Sequence, residues 1–267
     1  MIRNFFVISL RNLLKRKGYT TLNILGLTIG ITCCLLIFQY VSYERSYDTF
    51  QKNSSRIVRI RLDEYKQGKL LWQSATSYPA FGPLMKKDYP EVENYCRLID
   101  DELLLSNDAK NVKFSEKKGY YADPSSIDML GVQLQSGSPS TALNAPDKII
   151  ISQSMAKKYF GTDDVVGKTL IARNQNPYLT LQISGVFKDY PKNSHLIIDY
   201  LVSYNTFRQL LTQSGHKGDP ANTQIGWYDF YTYIQLKAGT DFKKFSLKCL
   251  PSLINISIAS RAVKSIM

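Results

Sequence analysis

A run of 22 residues without a charge, Leu22–Tyr43, constrains this 267-residue chain more than any other feature. At 1.5 Å per residue, a helix over this run is about 33 Å long, which is enough to cross the hydrocarbon core of a bilayer. A helix satisfies its own backbone hydrogen bonds and can therefore lie in lipid. The alternative is a buried core helix, but the length of the run and its abrupt start after the basic residues 15–17 disfavour it. We predict a transmembrane helix over residues 19–43.

The charges that flank this run predict its orientation. Residues 1–18 contain five cations and no acid, whereas residues 44–48 mix both signs. Because the cytoplasmic flanks of membrane spans are rich in Lys and Arg, we expect the N-terminus in the cytoplasm. The main domain then lies on the far side of the membrane. No small-x-small cleavage site follows the run, so we interpret it as an uncleaved anchor rather than a signal peptide.

Residues 1–18 also carry apolar side chains at helical spacing, with the cations off that stripe. The stripe consists of Ile2, Phe5, Phe6, Leu10, Leu13 and Leu14. This pattern predicts a basic amphipathic helix that lies in the inner interface and contacts membrane lipid. A cytoplasmic helix packed on a partner protein fits the same pattern.

Gly26 and Gly30 form a GxxxG motif within the predicted span. Glycines four residues apart allow a second helix to approach closely, so both are candidate helix-packing residues. Glycine is also common in transmembrane helices that pack on nothing, and the motif alone does not separate the two interpretations.

The net charge of +12 does not indicate a nucleic-acid partner. Residues 1–43 carry +5 and residues 241–267 carry +4, which leaves only +3 for residues 44–240. Binding to nucleic acid requires a basic patch on one folded face, and the central part of the chain is nearly balanced.

Alternating short apolar segments after the span predict an α+β fold, a mixed α/β domain of two interleaved subdomains over residues 44–247. A short stalk helix is expected over Tyr43–Asn53. Helices are also expected over Pro79–Tyr89, over Pro124–Leu130 with Asp123 as N-cap, from the N-cap Ser152 to Gly161, and over Tyr204–Gln213. The predicted strands include Ser54–Asp63, Leu70–Thr76, Val92–Ile99, Glu102–Ser106, Val112–Phe114, Lys118–Ala122, Lys148–Ile151, Lys168–Ala172, Leu179–Phe187, Leu196–Ser203 and Trp227–Leu236, and Ser214–Asn222 reads as a loop.

The sequence shows no arrangement typical of catalysis or of cofactor binding. It lacks a Walker lysine loop, a GxGxxG motif and the Cys/His spacing of zinc sites, so we expect no enzyme, cofactor or metal. The two histidines, His195 and His216, are interpreted as surface or capping residues, and an anchored hydrolase that uses one of them is a weak third hypothesis. Cys96 and Cys249 could form a disulfide outside the cytoplasm or remain buried thiols.

Several stretches together resemble a known family. Arg11–Ile31 resembles the first transmembrane segment of MacB/FtsX-like ABC transporter permeases, especially their Bacteroidetes-type branch, and Glu44–Ile57 is similar to the stalk that follows. Three further stretches resemble the MacB-like periplasmic core domain: Tyr121–Ser125, Ile150–Gly161 and Gly185–Leu196. The resemblance covers roughly residues 1–247.

The resemblance implies a permease component that depends on an ATPase. Such permeases place a periplasmic domain after the first span and a group of three further spans after that domain. They pair with another permease half or form homodimers, and they bind an ABC ATPase in the cytoplasm, either as a separate subunit or as a fused domain. ATP-driven motion then passes through the helices to the periplasmic domain and serves export or the translocation of lipoproteins or peptides.

Residues 248–267 do not match the family pattern, which continues as a helix after Asp241. We therefore expect a truncated or frameshifted tail; a genuine short protein with a disordered tail is the alternative. For the whole chain, the leading hypothesis is the N-terminal portion of an ABC permease. The second is a free-standing, single-pass binding or sensor protein with its domain in the periplasm.

Overall fold

The computed structural model describes residues 8, 11, 14–51, 53–67, 69–249 and 254–258. Most of the predicted interfacial helix of residues 1–18, and most of the atypical tail of residues 248–267, lies outside this range. The chain divides into two compact units, Met1–Tyr47 and Asp48–Met267.

The first unit is built on one long helix, α1, which covers Lys17–Arg45 and therefore the whole charge-free run. Its 29 residues include no proline, and none of them is buried. Thr28 and Thr32, two polar members of the run, donate their hydroxyls to the carbonyls four residues earlier at 2.7 and 2.8 Å. These polar groups are thus satisfied inside the helix, as a lipid environment requires.

The predicted stalk helix is wrong in its extent, because α1 ends at Arg45 and turns follow it. The Ser46 amide donates to the Tyr43 carbonyl at 3.0 Å, which closes the last turn. Asp48 then adopts a φ of 57°, in the left-handed region, where an α-helix cannot continue.

The second unit is a mixed sheet with helices packed on it. The helices are α2 (Phe81–Asp88), α3 (Ser126–Met129), α4 (Gln153–Phe160), α5 (Tyr204–Gln213), α6 (Pro220–Thr223) and α7 (Phe242–Cys249), with 3₁₀ turns at Ser54–Arg56 and Asp108–Lys110. The strands are β1 (Ile57–Lys66), β2 (Lys69–Ser74), β3 (Val92–Asp100), β4 (Leu103–Asn107), β5 (Val112–Glu116), β6 (Gly119–Ala122), β7 (Leu134–Gly137), β8 (Lys148–Ser152), β9 (Thr169–Ala172), β10 (Leu179–Phe187), β11 (Tyr200–Ser203), β12 (Tyr231–Leu236) and β13 (Ile254–Ile258).

The strand order is β13-β1-β12-β3-β6-β11-β8-β10-β9-β4-β5, with β2 paired to β1 and β7 paired to β10. The chain moves repeatedly between the two ends of this sheet: it leaves β3 for β4 and β5, returns at β6, departs again for β7 to β10, and returns through β11 to β12. The mixed α/β fold predicted from the sequence is confirmed, and each end of the sheet is assembled from segments far apart in sequence.

Buried apolar side chains form three clusters in the second unit. One lies around α4 and α5 and includes Ile149, Ile151, Met155, Tyr159 and Phe207. A second includes Cys96, Leu98, Phe187, Ile198 and Tyr233, and a third includes Val58, Met85, Phe245 and Cys249. The two cysteines therefore belong to different clusters, and no disulfide joins them in the described part of the chain.

The capping pattern of α4 is as predicted. The Ser152 hydroxyl accepts a hydrogen bond from the Met155 amide at 3.2 Å, and Gly161 ends the helix with a φ of 75°. Ser152 thus satisfies one of the amides that the first turn leaves without a partner, and glycine supplies the left-handed residue at the end.

Two other predictions are wrong in detail, for related reasons. The segment Leu196–Ser203 forms a strand only from Tyr200, because Leu196 and Ile198 are buried in a cluster rather than paired in a ladder. Similarly, Trp227–Leu236 is a strand only from Tyr231. The ring of Trp227 packs against the ring of Phe230, with centroids 4.8 Å apart. Alternating apolar residues indicate that every second side chain is buried, and a segment of irregular backbone can bury side chains as a strand does. The strand β7 and the short helix α6 were not predicted.

Asp123 is not the N-cap that the sequence suggested. The helix α3 begins at Ser126, and the Asp123 carboxylate instead accepts two hydrogen bonds from the Arg97 guanidinium at 2.8 and 2.9 Å. A buried guanidinium provides stronger, charge-assisted donors than the amides of a one-turn helix.

Candidate functional site

The span itself offers one pair of candidate contact residues. Gly26 and Gly30 lie four residues apart and so share a face of α1. A Cβ atom added at either glycine would meet nothing within 4 Å. The helix is long and apolar enough to cross a membrane by length and composition. Helix packing at these two glycines stays a prediction, since it requires a second helix.

A polar cluster forms where the second unit begins. Asp48 is its first residue and is only 1% exposed. The Asp48 amide donates to the Asn193 carbonyl at 3.1 Å, and the carboxylate accepts from the Ser194 hydroxyl at 2.6 Å and from the His195 Nδ1 at 2.7 Å. All three contacts reach the irregular segment between β10 and β11.

His195 extends this cluster into the sheet. Its Nε2 lies 2.7 Å from the hydroxyl of Tyr233, which is fully buried in β12. We refer to Asp48, Ser194, His195 and Tyr233 as the Asp48 cluster. It connects three segments that are distant in sequence: the residues after the span, the β10–β11 connection and β12.

Electrostatics in the Asp48 cluster favour the ionised carboxylate. Burial alone would raise the pKa of Asp48, but the hydrogen bond and charge of His195 and the hydrogen bond from Ser194 together lower it below its ordinary value. Burial raises the pKa of the Tyr233 hydroxyl, which therefore stays protonated. The cluster is thus a charged acceptor surrounded by donors.

Neighbouring residues hold the same segment by packing. Phe50 meets the Tyr190 ring edge-on, with centroids 5.2 Å apart, and Gln51 is 3% exposed. Gly131 has a φ of 69°, and a Cβ there would lie 3.5 Å from the Gln51 Cα. The Tyr190 hydroxyl donates to the Leu130 carbonyl at 2.7 Å. The segment after the span is therefore buried within the domain.

The Asp48 cluster contains Asp, His and Ser, but its geometry does not suit nucleophilic catalysis. The Ser194 hydroxyl donates to the same carboxylate that His195 contacts, and the second ring nitrogen of His195 faces Tyr233. A hydrolase needs the histidine to accept the proton of the serine. The other histidine, His216, lies 3.2 Å from the Leu211 carbonyl in an exposed loop. Among the described residues, no group of three His, Cys, Asp or Glu side chains could hold a metal ion.

A second cluster of buried charged side chains connects several loops of the domain through hydrogen bonds. Arg97, on β3, is 2% exposed, and besides Asp123 it donates to the carbonyls of Pro79 and Ala221 at 3.0 and 2.8 Å. Its guanidinium also lies 4.1 Å from the centre of the Tyr204 ring. Burial alone would lower the pKa of Arg97, but Asp123 raises it above its ordinary value. This pair stabilises the domain.

Two clefts lie on either side of Tyr178, which is 63% exposed next to β10. One, of about 260 Å³, is lined by Ser106, Asp108, Asn111, Val112, Lys113, Arg173 and Tyr178. The other, of about 270 Å³, is lined by Asp147, Pro177, Tyr178, Leu179, Thr180, Thr206, Gln209, Leu210 and Gln213. Both are open and mainly polar.

Sequence reasoning did not identify Asp48, Ser194 or Arg97. A usable signal was present for Asp48, since an acid five residues after the last residue of a predicted span must either face solvent or find buried donors. Its partners lie almost 150 residues later in the chain, and local sequence pattern does not predict contacts between residues so far apart.

The model of the MacB-like periplasmic core domain matches residues 20–246. The chain belongs to this family. The match begins inside α1 and extends into α7, and it confirms the family resemblance drawn from the sequence. No curated protein matches the chain.

Solved structures agree with this assignment at the level of the fold. A domain of a protein assigned as a permease in Porphyromonas gingivalis is 22% identical, with a TM-score of 0.60 over 77% of this chain and 89% of that one. The periplasmic region of MacB from Actinobacillus actinomycetemcomitans is 14% identical, with a TM-score of 0.54 over 81% of this chain and 96% of that one. The second unit therefore has the fold of a MacB periplasmic domain.

Proposed function

We propose that the chain is a permease component of an ABC transporter, anchored in the bacterial inner membrane by α1 with its second unit in the periplasm. The observation that carries this proposal is the family match, which covers the span and the domain together. The basic residues before α1 support the orientation, because they favour the cytoplasmic side.

A component of this kind needs partners. The chain has no Walker lysine loop, so a separate cytoplasmic ABC ATPase would supply the energy. A single helix encloses no transport path, so α1 would pack against another permease half or a second copy of the chain. Gly26 and Gly30 are the residues proposed for that packing.

The partner ATPase provides the test. The full chain, tagged and purified in detergent from membranes of the cells that encode it, is expected to elute with vanadate-sensitive ATP hydrolysis. Mass spectrometry should find a Walker-motif ATPase in the same fractions. The control is an unrelated single-pass protein with the same tag. Equal ATPase activity in the control, or none in either preparation, contradicts the proposal.

A single-pass binding or sensor protein is the second candidate function, and the two clefts beside Tyr178 are the observation in its favour. This function predicts that a small molecule or peptide elutes with the purified chain while no ATPase does. Replacing Tyr178 by Ala should then remove the bound molecule, because the side chain borders both clefts.

A further inference from the structure

Asp48 lies at the point where the chain passes from the span into the folded outer domain. It is the first buried side chain after α1, three residues beyond Arg45. A force transmitted along the chain from the span passes through the backbone of residues 46 and 47 and arrives at Asp48. What Asp48 contacts therefore decides which part of the domain receives that force.

The hydrogen bonds of Asp48 given above connect it to residues far beyond β1, which is the next strand in the sequence. Its amide and both carboxylate oxygens bind residues 193–195, which connect β10 to β11, and His195 continues to Tyr233 on β12. The strands β11 and β10 lie in the middle of the sheet, four and six positions along the strand order from β1. Without the Asp48 cluster, the same force would act on the packing of Phe50 and Gln51 and on β1, which lies close to one end of the sheet.

The conformation of Asp48 shows that this attachment is specific. The residue has a φ of 57°, which an L-amino acid adopts at a cost in free energy, and it buries a charged group. A helix end that only needs to stop can use glycine or an exposed polar residue. Burial of a carboxylate here is favourable because the Ser194 hydroxyl and the His195 imidazole are positioned to donate to it.

We propose that Asp48, Ser194 and His195 are positioning residues that transmit force from the end of the span to the connection between the central strands β10 and β11 of the outer domain. This inference rests on the proposed function, in which movement of the span reaches the domain. It goes further by naming the residues through which the movement passes.

Single-molecule pulling on the full chain in detergent micelles, with handles at both termini, tests the attachment directly. Detachment of residues 48–56 up to the start of β1 gives a step of at most about 30 Å. In Asp48→Asn this step should occur at least about tenfold faster at constant force, the factor expected when a charge-assisted hydrogen bond is lost. Asn tolerates the left-handed backbone as Asp does, so the variant changes the side-chain contacts and not the turn.

Two further variants make the outcome unambiguous. Ser194→Ala removes one donor to the carboxylate and should also accelerate the step. Arg208→Gln is the matched control, because it breaks the Arg208–Asp219 pair at 2.8 Å on a half-exposed surface of the same domain and should leave the step unchanged.

The inference is overturned if Asp48→Asn and Ser194→Ala detach at the wild-type rate. It is also overturned if the later unfolding of the sheet accelerates in parallel, because that result means a purely structural role. Pulling needs no ATPase, so this result is independent of whether an ATPase is recovered with the chain.

Discussion

Asp48 joins two unfavourable features, a left-handed backbone and a buried charge. The Ser194 hydroxyl and the His195 Nδ1 donate to its carboxylate, and its own amide donates to the Asn193 carbonyl, and these three hydrogen bonds compensate for both. Because its pKa lies below the ordinary value of 3.8 in the folded chain, the unfolded chain takes up the proton more readily. The contribution of Asp48 to stability is therefore complete above about pH 5 and is lost as the pH falls below 3.8 and through the folded-state pKa.

We predict that Asp48→Asn lowers the free energy of unfolding by about 1.5–3 kcal/mol at neutral pH. The difference from wild type should stay constant down to about pH 5 and shrink at lower pH. Urea titrations of the detergent-solubilised chain at a series of pH values measure this. A difference that is flat to pH 3, or that grows with acid, would show that the charge of Asp48 is not what stabilises the segment.

Arg97 presents the second test at this scale. Replacing it by Met leaves the Asp123 carboxylate buried without its cation, which should cost about 3–5 kcal/mol. The exposed pair of Arg208 and Asp219 is the control, and Arg208→Gln should cost less than about 1 kcal/mol. Urea unfolding measures both variants. If they lose comparable free energies of unfolding, the interpretation that Arg97 holds the surrounding loops together is wrong.

Among the elements, α4 shows what local sequence specifies well. Gly161 has a φ of 75°, and a Cβ there would meet nothing within 4 Å, so only backbone strain opposes substitution. Gly161→Ala should therefore lower stability by about 1 kcal/mol, and Gly161→Asn by less, because Asn adopts the left-handed region more easily. Equal losses for Ala and Asn would imply a cause other than backbone conformation.

The element α1 carries the prediction about helix packing. Leu at Gly26 or Gly30 should weaken association with a partner helix, because the larger side chain holds the two backbones apart. Gly18→Leu is the matched control, since Gly18 lies on the same helix outside the motif and a Cβ added there would also meet nothing within 4 Å. Energy transfer between labelled chains in detergent measures the association. If all three variants associate as wild type does, the two glycines are not a packing face.

For the molecule as a whole, the sequence predicted those features of the fold that depend on local sequence pattern. The charge-free run, the two ends of α4 and the bounds of β10 and α5 follow from hydropathy, capping residues and alternation. The order of strands in the sheet does not follow from local pattern, because β6 pairs with β11 more than 80 residues later and β1 pairs with β12 at a still larger separation. The Asp48 cluster was missed for the same reason, and Asp123 was assigned to the nearest helix although its partner lies on β3.

The central claim is that ATP used in the cytoplasm changes the outer domain through the span. Hydrogen exchange of the purified complex, with and without ATP and vanadate, tests this most directly. We predict that trapping the ATPase changes the exchange of peptides covering residues 48–56 and 188–199, the two segments that the Asp48 cluster joins. Identical exchange in both states, with the ATPase present and trapped, would contradict the account.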